Sequence, residues 1–141
     1  MVLGTIIGIE RELVGKEAGV RTTMLVCAGS SIFAMLSIII PYFASVPPEE
    51  LQNVIPDKIL SNIVVGIGFL GAGIIIKTGE HVRGLTTAAV VWFAAAVGAL
   101  AGLGLIEFAA VSAIIMSGTL YLLRKIDLYK IIIPERGAKK D

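Results

Sequence analysis

Three glycines in the segment NIVVGIGFLGAGIIIK, residues 62–77, have the spacing of a dinucleotide-binding turn. Gly66, Gly68 and Gly71 form the pattern G-x-G-x-x-G. Such a turn requires a soluble βαβ unit and an acidic residue about 20 positions after the first glycine, which binds the ribose. Here that window reads HVRGLTTAAVVW and contains no acid, and the flanking segments are long and apolar. The sequence therefore predicts no nucleotide site and no cofactor.

Polar side chains that could do chemistry are concentrated in the segment GIERELVGKEAGVRTT, residues 8–23. Glu10 and Arg11 directly follow an apolar run, and ionisable groups at membrane depth usually face a partner or a wet cavity. We predict that Glu10 pairs with Arg21. The segment KTGEHVRGLTT, residues 77–87, has a similar layout. The predicted functional polar cluster comprises Glu10, Arg11, Glu12, Arg21, Thr22, Thr86 and Thr87.

The usual catalytic motifs are missing from the sequence. One histidine and one cysteine are too few for most catalytic constellations, and no HExxH, CxxC or P-loop pattern occurs. A net charge of +1 without a broad basic face gives no general attraction to nucleic acid. The sequence predicts a protein that is not an enzyme and does not bind nucleic acid.

Long segments without charged residues must form the helices that position these polar residues. A helix needs roughly 17–25 mainly apolar residues to cross a bilayer, and 56% of the chain is hydrophobic. The pattern predicts an all-α, polytopic transmembrane bundle of about five helices in the lipid bilayer. The first helix ends near Glu10 and is too short to span as written. The other four are predicted at Thr22–Phe43, Ile59–Ile76, Leu85–Leu103 and Ile106–Leu123.

Lysine and arginine predict the orientation of these helices. The loops at residues 10–21 and 77–83 and the tail at 125–141 are rich in basic residues, whereas the two other connections are not. Because basic loops stay on the cytoplasmic side, we expect the N-terminus outside and the tail in the cytoplasm.

The resemblance of VLGTIIGIE to FLGAGIIIK suggests a repeat of two helical hairpins plus one helix. Within the second copy, small residues mark two faces of one helix. Gly66 and Gly73 lie on one face, and Gly68, Gly71 and Ala72 lie near the opposite face. Small residues let helices approach closely in lipid, so we expect a central helix packed on both sides. A locally broken helix that lines a cavity is the alternative interpretation.

Two blocks, GIERELVGKEAGVRTTMLVCAGSSIF and NIVVGIGFLGAGIIIKTGEHVRGLTTAAVVWFAAAVGALAGLG, resemble the MgtC/SapB family of bacterial inner-membrane proteins. The resemblance implies a hydrophobic domain of about five spans, linked to growth at low magnesium and survival inside phagocytes. It also implies an activity that is not enzymatic and, for some members, restraint of the F-type ATP synthase. On this basis residues 1–124 form the transmembrane domain, and 125–141 form a basic cytoplasmic tail where many members continue into a soluble domain.

Three hypotheses of function follow. The first is a membrane protein that acts in magnesium, ion or membrane-energy homeostasis through helix contacts with partners, including a homo-oligomer. The second is a small transporter or channel that uses Glu10, Arg11, Arg21 and the Thr86–Thr87 pair. The third is a pH or magnesium sensor with carboxylates at Glu10, Glu12 and Glu80, since Mg²⁺ needs only one or two carboxylates.

Overall fold

The computed structural model describes residues 1–43 and 57–125. Within them the chain forms five helices and one short hairpin, so the predicted all-α bundle is confirmed. The helices are α1 (Val2–Leu13), α2 (Val20–Phe43), α3 (Asp57–Ile74), α4 (Leu85–Gly102) and α5 (Ile106–Lys125). The connection between α2 and α3 and the predicted tail after Lys125 lie outside the described residues.

Three segments of the described chain are long and apolar enough to cross a membrane: Val20–Pro41, Leu85–Gly102 and Ile106–Lys125. The apolar helix Lys58–Ile74 is shorter. Large hydrophobic side chains remain exposed on the outside of the bundle, including Phe69, Phe108 and Ile114. Such a surface suits contact with lipid and is rare on a soluble monomer.

Helix α2 packs closely against two neighbouring helices, whose glycines approach its backbone. A Cβ atom on Gly98 or Gly102 of α4 would collide with the carbonyl oxygens of Cys27 and Ser31. The two contacts advance together along both helices, so α2 and α4 run in the same direction. Both glycines belong to one G-xxx-G pair, a spacing that brings helices together in lipid.

Helix α1 packs on another side of α2 through a second pair with the same spacing. A Cβ on Gly4 would lie 2.7 Å from the Thr23 carbonyl oxygen, and one on Gly8 would meet the Thr23 hydroxyl. The hydrophobic core beside this contact between α1 and α2 consists mainly of small and β-branched residues: Ile7, Cys27, Val90, Ala94, Val97, Ala109 and Ala113. Close helix packing, rather than bulky aromatic side chains, therefore fills the centre.

Helix α3 is not the central helix that the glycine pattern predicted. Gly66, Gly68 and Gly73 have no neighbouring atom within 4 Å of a built Cβ, and Gly71 meets only the Cβ of Ala88 at 3.7 Å. Most other α3 side chains are exposed. Within the described chain, α3 packs mainly on α4 through its last turns, where Gly71 is buried, and its other small residues lie at the periphery. The unbroken helix also differs from the alternative of a broken segment.

A two-stranded antiparallel hairpin, β1 (Ile76–Thr78) and β2 (His81–Arg83), joins α3 to α4. Ile76 pairs with Arg83, and Thr78 pairs with His81. The sequence predicted helix up to Ile76 and a loop after it, but this pairing ends α3 at Ile74. Gly84 has φ +85°, and a Cβ there would collide with the Ile74 carbonyl oxygen, so only glycine fits this junction.

The predicted repeat is visible in the helix contacts. In the alignment of VLGTIIGIE with FLGAGIIIK, Gly4 corresponds to Gly71, and the following VRTT and VRGLTT segments align Met24 with Ala88. Gly4 packs against the Met24 Cα, and Gly71 packs against Ala88. Equivalent positions therefore meet in the α1–α2 and α3–α4 pairs, which supports two helical hairpins plus α5.

Candidate functional site

A buried ion pair lies in the last turns of α1. The Nε–H of Arg11 donates a hydrogen bond of 2.6 Å to Oε2 of Glu10. Glu10 is 8% exposed and Arg11 is 6% exposed. The other carboxylate oxygen, Glu10 Oε1, is buried and has no hydrogen-bond partner among the described residues. A buried polar atom without a partner is costly, so this oxygen marks a position of functional interest.

The close seam between α1 and α2 explains the burial of this pair. Gly4 and Gly8 let α1 approach the α2 backbone, and Glu10 and Arg11 are buried in the turns of α1 that follow Gly8. The Arg11 side chain therefore bonds to the adjacent residue, Glu10, instead of extending into solvent. The site results from helix packing as well as from the charged residues themselves.

The predicted pairing of Glu10 with Arg21 is wrong. Arg21 is exposed, and the structure gives it no ion pair within residues 1–43 and 57–125. Arg21 lies in the first turn of α2, on the outer surface of the helix, while Glu10 is held on α1 by Arg11. Glu10 and Arg21 flank the same loop, but closeness along the chain does not fix the direction in which a helical side chain points.

Glu12 stabilises the start of α2. Its Oε2 accepts a hydrogen bond of 3.0 Å from the backbone N–H of Val20. The carboxylate lies so close to Gly19 that a Cβ there would collide with it. A carboxylate at a helix N-terminus satisfies an otherwise unpaired donor and interacts favourably with the helix dipole. This contact gives Glu12 a structural role.

Thr23, which the sequence interpretation did not select, connects α1 to α2. Its hydroxyl lies 2.8 Å from the Gly4 carbonyl oxygen of α1. The carbonyl oxygens of Gly19 and Val20, which precede Thr23 in the chain, are farther from the hydroxyl, at 3.1 and 3.2 Å. Thr23 is fully buried, whereas its neighbour Thr22 is only half-buried. The signal in the sequence was its spacing of four residues from Cys27, which places both residues on one helix face.

Replacing Thr23 by valine should reduce the free energy of unfolding by about 1 kcal/mol, because the hydrogen bond to Gly4 is lost while the shape is kept. Thermal unfolding of the purified protein in detergent measures the change. Thr22→Val is the matched control, since no hydrogen bond of the Thr22 hydroxyl occurs in the described structure. Equal losses for the two variants would contradict the assigned bond.

Thr86 and Thr87 lie in the first turn of α4, where Thr86 is exposed and Thr87 is buried. No side-chain hydrogen bond connects either of them to Glu10 in the described part of the chain. Within the described residues, the one side-chain hydrogen bond between members of the predicted cluster joins Arg11 to Glu10.

The charged side chains of the hairpin, including Lys77, Glu80 and Arg83, are exposed. Within residues 1–43 and 57–125, no group of three or more histidine, cysteine or acidic residues is placed to hold a metal ion. The structure does not bring Glu10, Glu12 and Glu80 together as a shared carboxylate site.

The family model described as the MgtC family matches residues 1–129, which include every described helix. The chain belongs to the MgtC family. It is 44% identical over 123 residues to Protein MgtC of Brucella abortus (strain 2308), a match that covers 87% of this chain and 48% of that protein. It is 41% identical over 125 residues to Protein MgtC of Salmonella typhimurium (strain 14028s), covering 89% and 49% respectively.

The chain thus spans about half the length of the curated MgtC proteins it matches. No solved structure shows significant similarity to it. Membership of the MgtC family and three apolar helices of sufficient length identify a membrane protein, as the sequence predicted. In the buried pair of this MgtC-family bundle, Glu10 Oε1 is free to accept a hydrogen bond.

Proposed function

We propose that this chain is a non-enzymatic bacterial inner-membrane protein of the MgtC type, which acts in magnesium, ion or membrane-energy homeostasis by contacting other membrane proteins. The observation that carries the proposal is the open face of α3, formed by Gly68, Phe69 and Ala72. Phe69 is 81% exposed, and a Cβ built on Gly68 has no neighbour within 4 Å.

The use of small residues elsewhere in the molecule supports this interpretation. The pairs Gly4–Gly8 and Gly98–Gly102 each bring a helix into backbone contact with α2. Gly68 and Ala72 have the same spacing but contact nothing in the described chain. Since helix association in lipid depends on close van der Waals packing, this third pair is suited to a helix from another molecule. A second copy of the chain is the simplest partner.

The family resemblance adds the F-type ATP synthase as a partner to test. The proposal also keeps the predicted orientation, with the N-terminus outside and the tail at 125–141 in the cytoplasm, because the basic residues of the loops and tail favour it.

Replacing Gly68 by leucine should abolish self-association or capture of the membrane partner, since a branched side chain separates the two helices. Energy transfer between fluorescently labelled copies in liposomes measures self-association, and co-purification from native membranes with subunits of the ATP synthase measures the partner. Gly118→Leu is the matched control, because Gly118 of α5 also has open space around it. Unchanged association for Gly68→Leu would count against the proposal.

A second candidate function, a small transporter or channel, is favoured by the unpartnered oxygen of Glu10. Ionisable groups within membrane bundles often belong to ion or proton pathways. Liposomes containing the purified protein should then show a flux of protons or another ion that Glu10→Gln abolishes. Absence of flux for every tested ion, with a folded protein, would remove this candidate and leave the contact hypothesis unaffected.

A further inference from the structure

The β1–β2 hairpin connects two apolar helices and is itself exposed. β1 begins two residues after α3 ends at Ile74, and β2 ends two residues before α4 begins at Leu85. Helix α4 is long and apolar enough to cross a membrane, whereas every residue of the two strands is exposed. The open edges of a two-stranded sheet need polar partners that the hydrocarbon core of a bilayer does not supply. The hairpin therefore lies just outside that core, at the level of the lipid headgroups.

The end of the hairpin next to the helices is fixed in place by their junction. A Cβ on Gly84 would collide with the Ile74 carbonyl oxygen, so the end of α3 touches the start of α4. The strands leave this junction as a pair, and their first two register positions form the hairpin base: Ile76 with Arg83, and Lys77 with Val82. The turn at Gly79 and Glu80 is about 7–10 Å farther along the strands.

The hairpin base is both apolar and basic. Ile76 is 61% exposed and Val82 is 45% exposed. The Lys77 and Arg83 side chains are exposed as well. Because successive residues of a strand point to opposite faces, the two register pairs lie on opposite faces of the hairpin. Each face of the base thus combines one apolar side chain with one long basic side chain, which suits an interface where the stem contacts lipid and the charged head contacts polar groups.

The charges of the hairpin are ordered along its length. The two basic residues lie in the base, whereas the carboxylate of the hairpin, Glu80, lies in the turn. No ion pair among the described residues involves Lys77 or Arg83, so Glu80 does not neutralise them. A negatively charged bilayer surface attracts basic residues that lie next to the membrane. The arrangement therefore complements an anionic surface at the base and keeps the acidic turn away from it.

We propose that the hairpin base binds the headgroups of anionic phospholipids. Lys77 and Arg83 donate hydrogen bonds to phosphate oxygens on opposite faces of the hairpin, while Ile76 and Val82 contact the upper part of the acyl chains. The site is separate from the Glu10–Arg11 pair and from the open face of α3. It fixes the depth of the α3–α4 connection in the membrane whether the protein contacts partners or moves ions.

Native mass spectrometry of the detergent-purified protein, titrated with phosphatidylglycerol or phosphatidylcholine, tests this site. The unmodified protein should retain phosphatidylglycerol in preference to phosphatidylcholine. Lys77→Gln and Arg83→Gln should each reduce this preference by about fivefold. Lys16→Gln is the matched control, because Lys16 is also exposed but lies in the α1–α2 connection, outside the hairpin. The control should leave the preference unchanged.

Fluorescence quenching in liposomes measures the depth of the hairpin. A fluorophore is attached to Val82→Cys in the base or to Glu80→Cys in the turn, and the native Cys27 is buried and so protected from labelling. Lipids with a spin label near the headgroup should quench the fluorophore in the base more strongly than the fluorophore in the turn. A water-soluble quencher should show the opposite order.

Equal retention of the two lipids by the unmodified protein would overturn the proposal, as would a loss in Lys16→Gln as large as that in Lys77→Gln. Displacement of the bound lipid by inorganic phosphate would identify a soluble anion as the ligand and overturn the assignment to lipid. Equal quenching at the two labelled positions would overturn the placement of the base at the bilayer surface. Size-exclusion profiles and helix content of each variant establish that it is folded.

Discussion

Replacing Gly98 by leucine should prevent the bundle from folding. A side chain at this position must occupy the space of the Cys27 carbonyl group of α2, and backbone atoms cannot rotate away as a side chain can. Overpacking a core typically costs about 1–3 kcal/mol and occasionally more; because two whole helices must separate here, we expect a loss of at least about 3 kcal/mol. Gly98→Ala should already be destabilising, since the collision involves the Cβ itself.

The measurement is the yield of monodisperse protein after detergent extraction, followed by thermal unfolding of whatever material is recovered. Gly118→Leu provides the comparison, because Gly118 lies within α5 and has no neighbour within 4 Å. The control should retain the yield and stability of the unmodified protein. A Gly98→Leu variant as stable as this control would show that α2 and α4 do not pack as closely as described.

The helices themselves could be predicted from the sequence because lipid does not tolerate unpaired charge. The charge-free run that predicted Leu85–Leu103 is observed as Leu85–Gly102, and Ile106–Leu123 is observed as Ile106–Lys125. The end of α3 was placed two residues too late. Nothing in the composition of an isoleucine run shows that Ile76 leaves the helix to pair with Arg83.

The packing of the glycines could be predicted only in part. Several pairs of small residues with small-xxx-small spacing occur in the chain, and the sequence alone does not rank them. The glycine-rich sequence of α3 suggested Gly68 and Ala72 as a packing pair. In the structure, Gly4–Gly8 and Gly98–Gly102 make the close contacts with the α2 backbone. Which pair is used inside the chain depends on which helices are neighbours, and that is a property of the whole bundle.

The polar site could likewise be predicted only in part. Glu10 and Arg11 were selected because they follow an apolar run, and both are buried. The partner of Glu10 was predicted incorrectly because residues adjacent on a helix point about 100° apart, which makes a neighbour an unexpected partner. Only a long arginine side chain that folds back under close helix packing can bridge that angle.

Removing either charge of the Glu10–Arg11 pair should destabilise the protein, while removing both should not. Arg11→Leu leaves the carboxylate of Glu10 buried without any partner, and breaking a buried ion pair in this way typically costs about 3–5 kcal/mol. Glu10→Met leaves the Arg11 guanidinium in the same position. The double variant Glu10→Met/Arg11→Leu should lie within about 1 kcal/mol of the unmodified protein or be more stable, because apolar pairs often replace buried ion pairs without loss.

A double-mutant cycle of thermal unfolding in lipid nanodiscs measures this coupling. The control cycle uses Lys16→Ala and Glu17→Ala, two exposed neighbours of opposite charge, for which each change should stay within about 0.5 kcal/mol. Additive losses at Glu10 and Arg11 would contradict a direct buried pair. The stable double variant also separates folding from function. If the unpartnered Glu10 oxygen serves ion movement, this variant will fold and insert normally but show no flux; if the protein acts only through the open face of α3, it will retain partner capture.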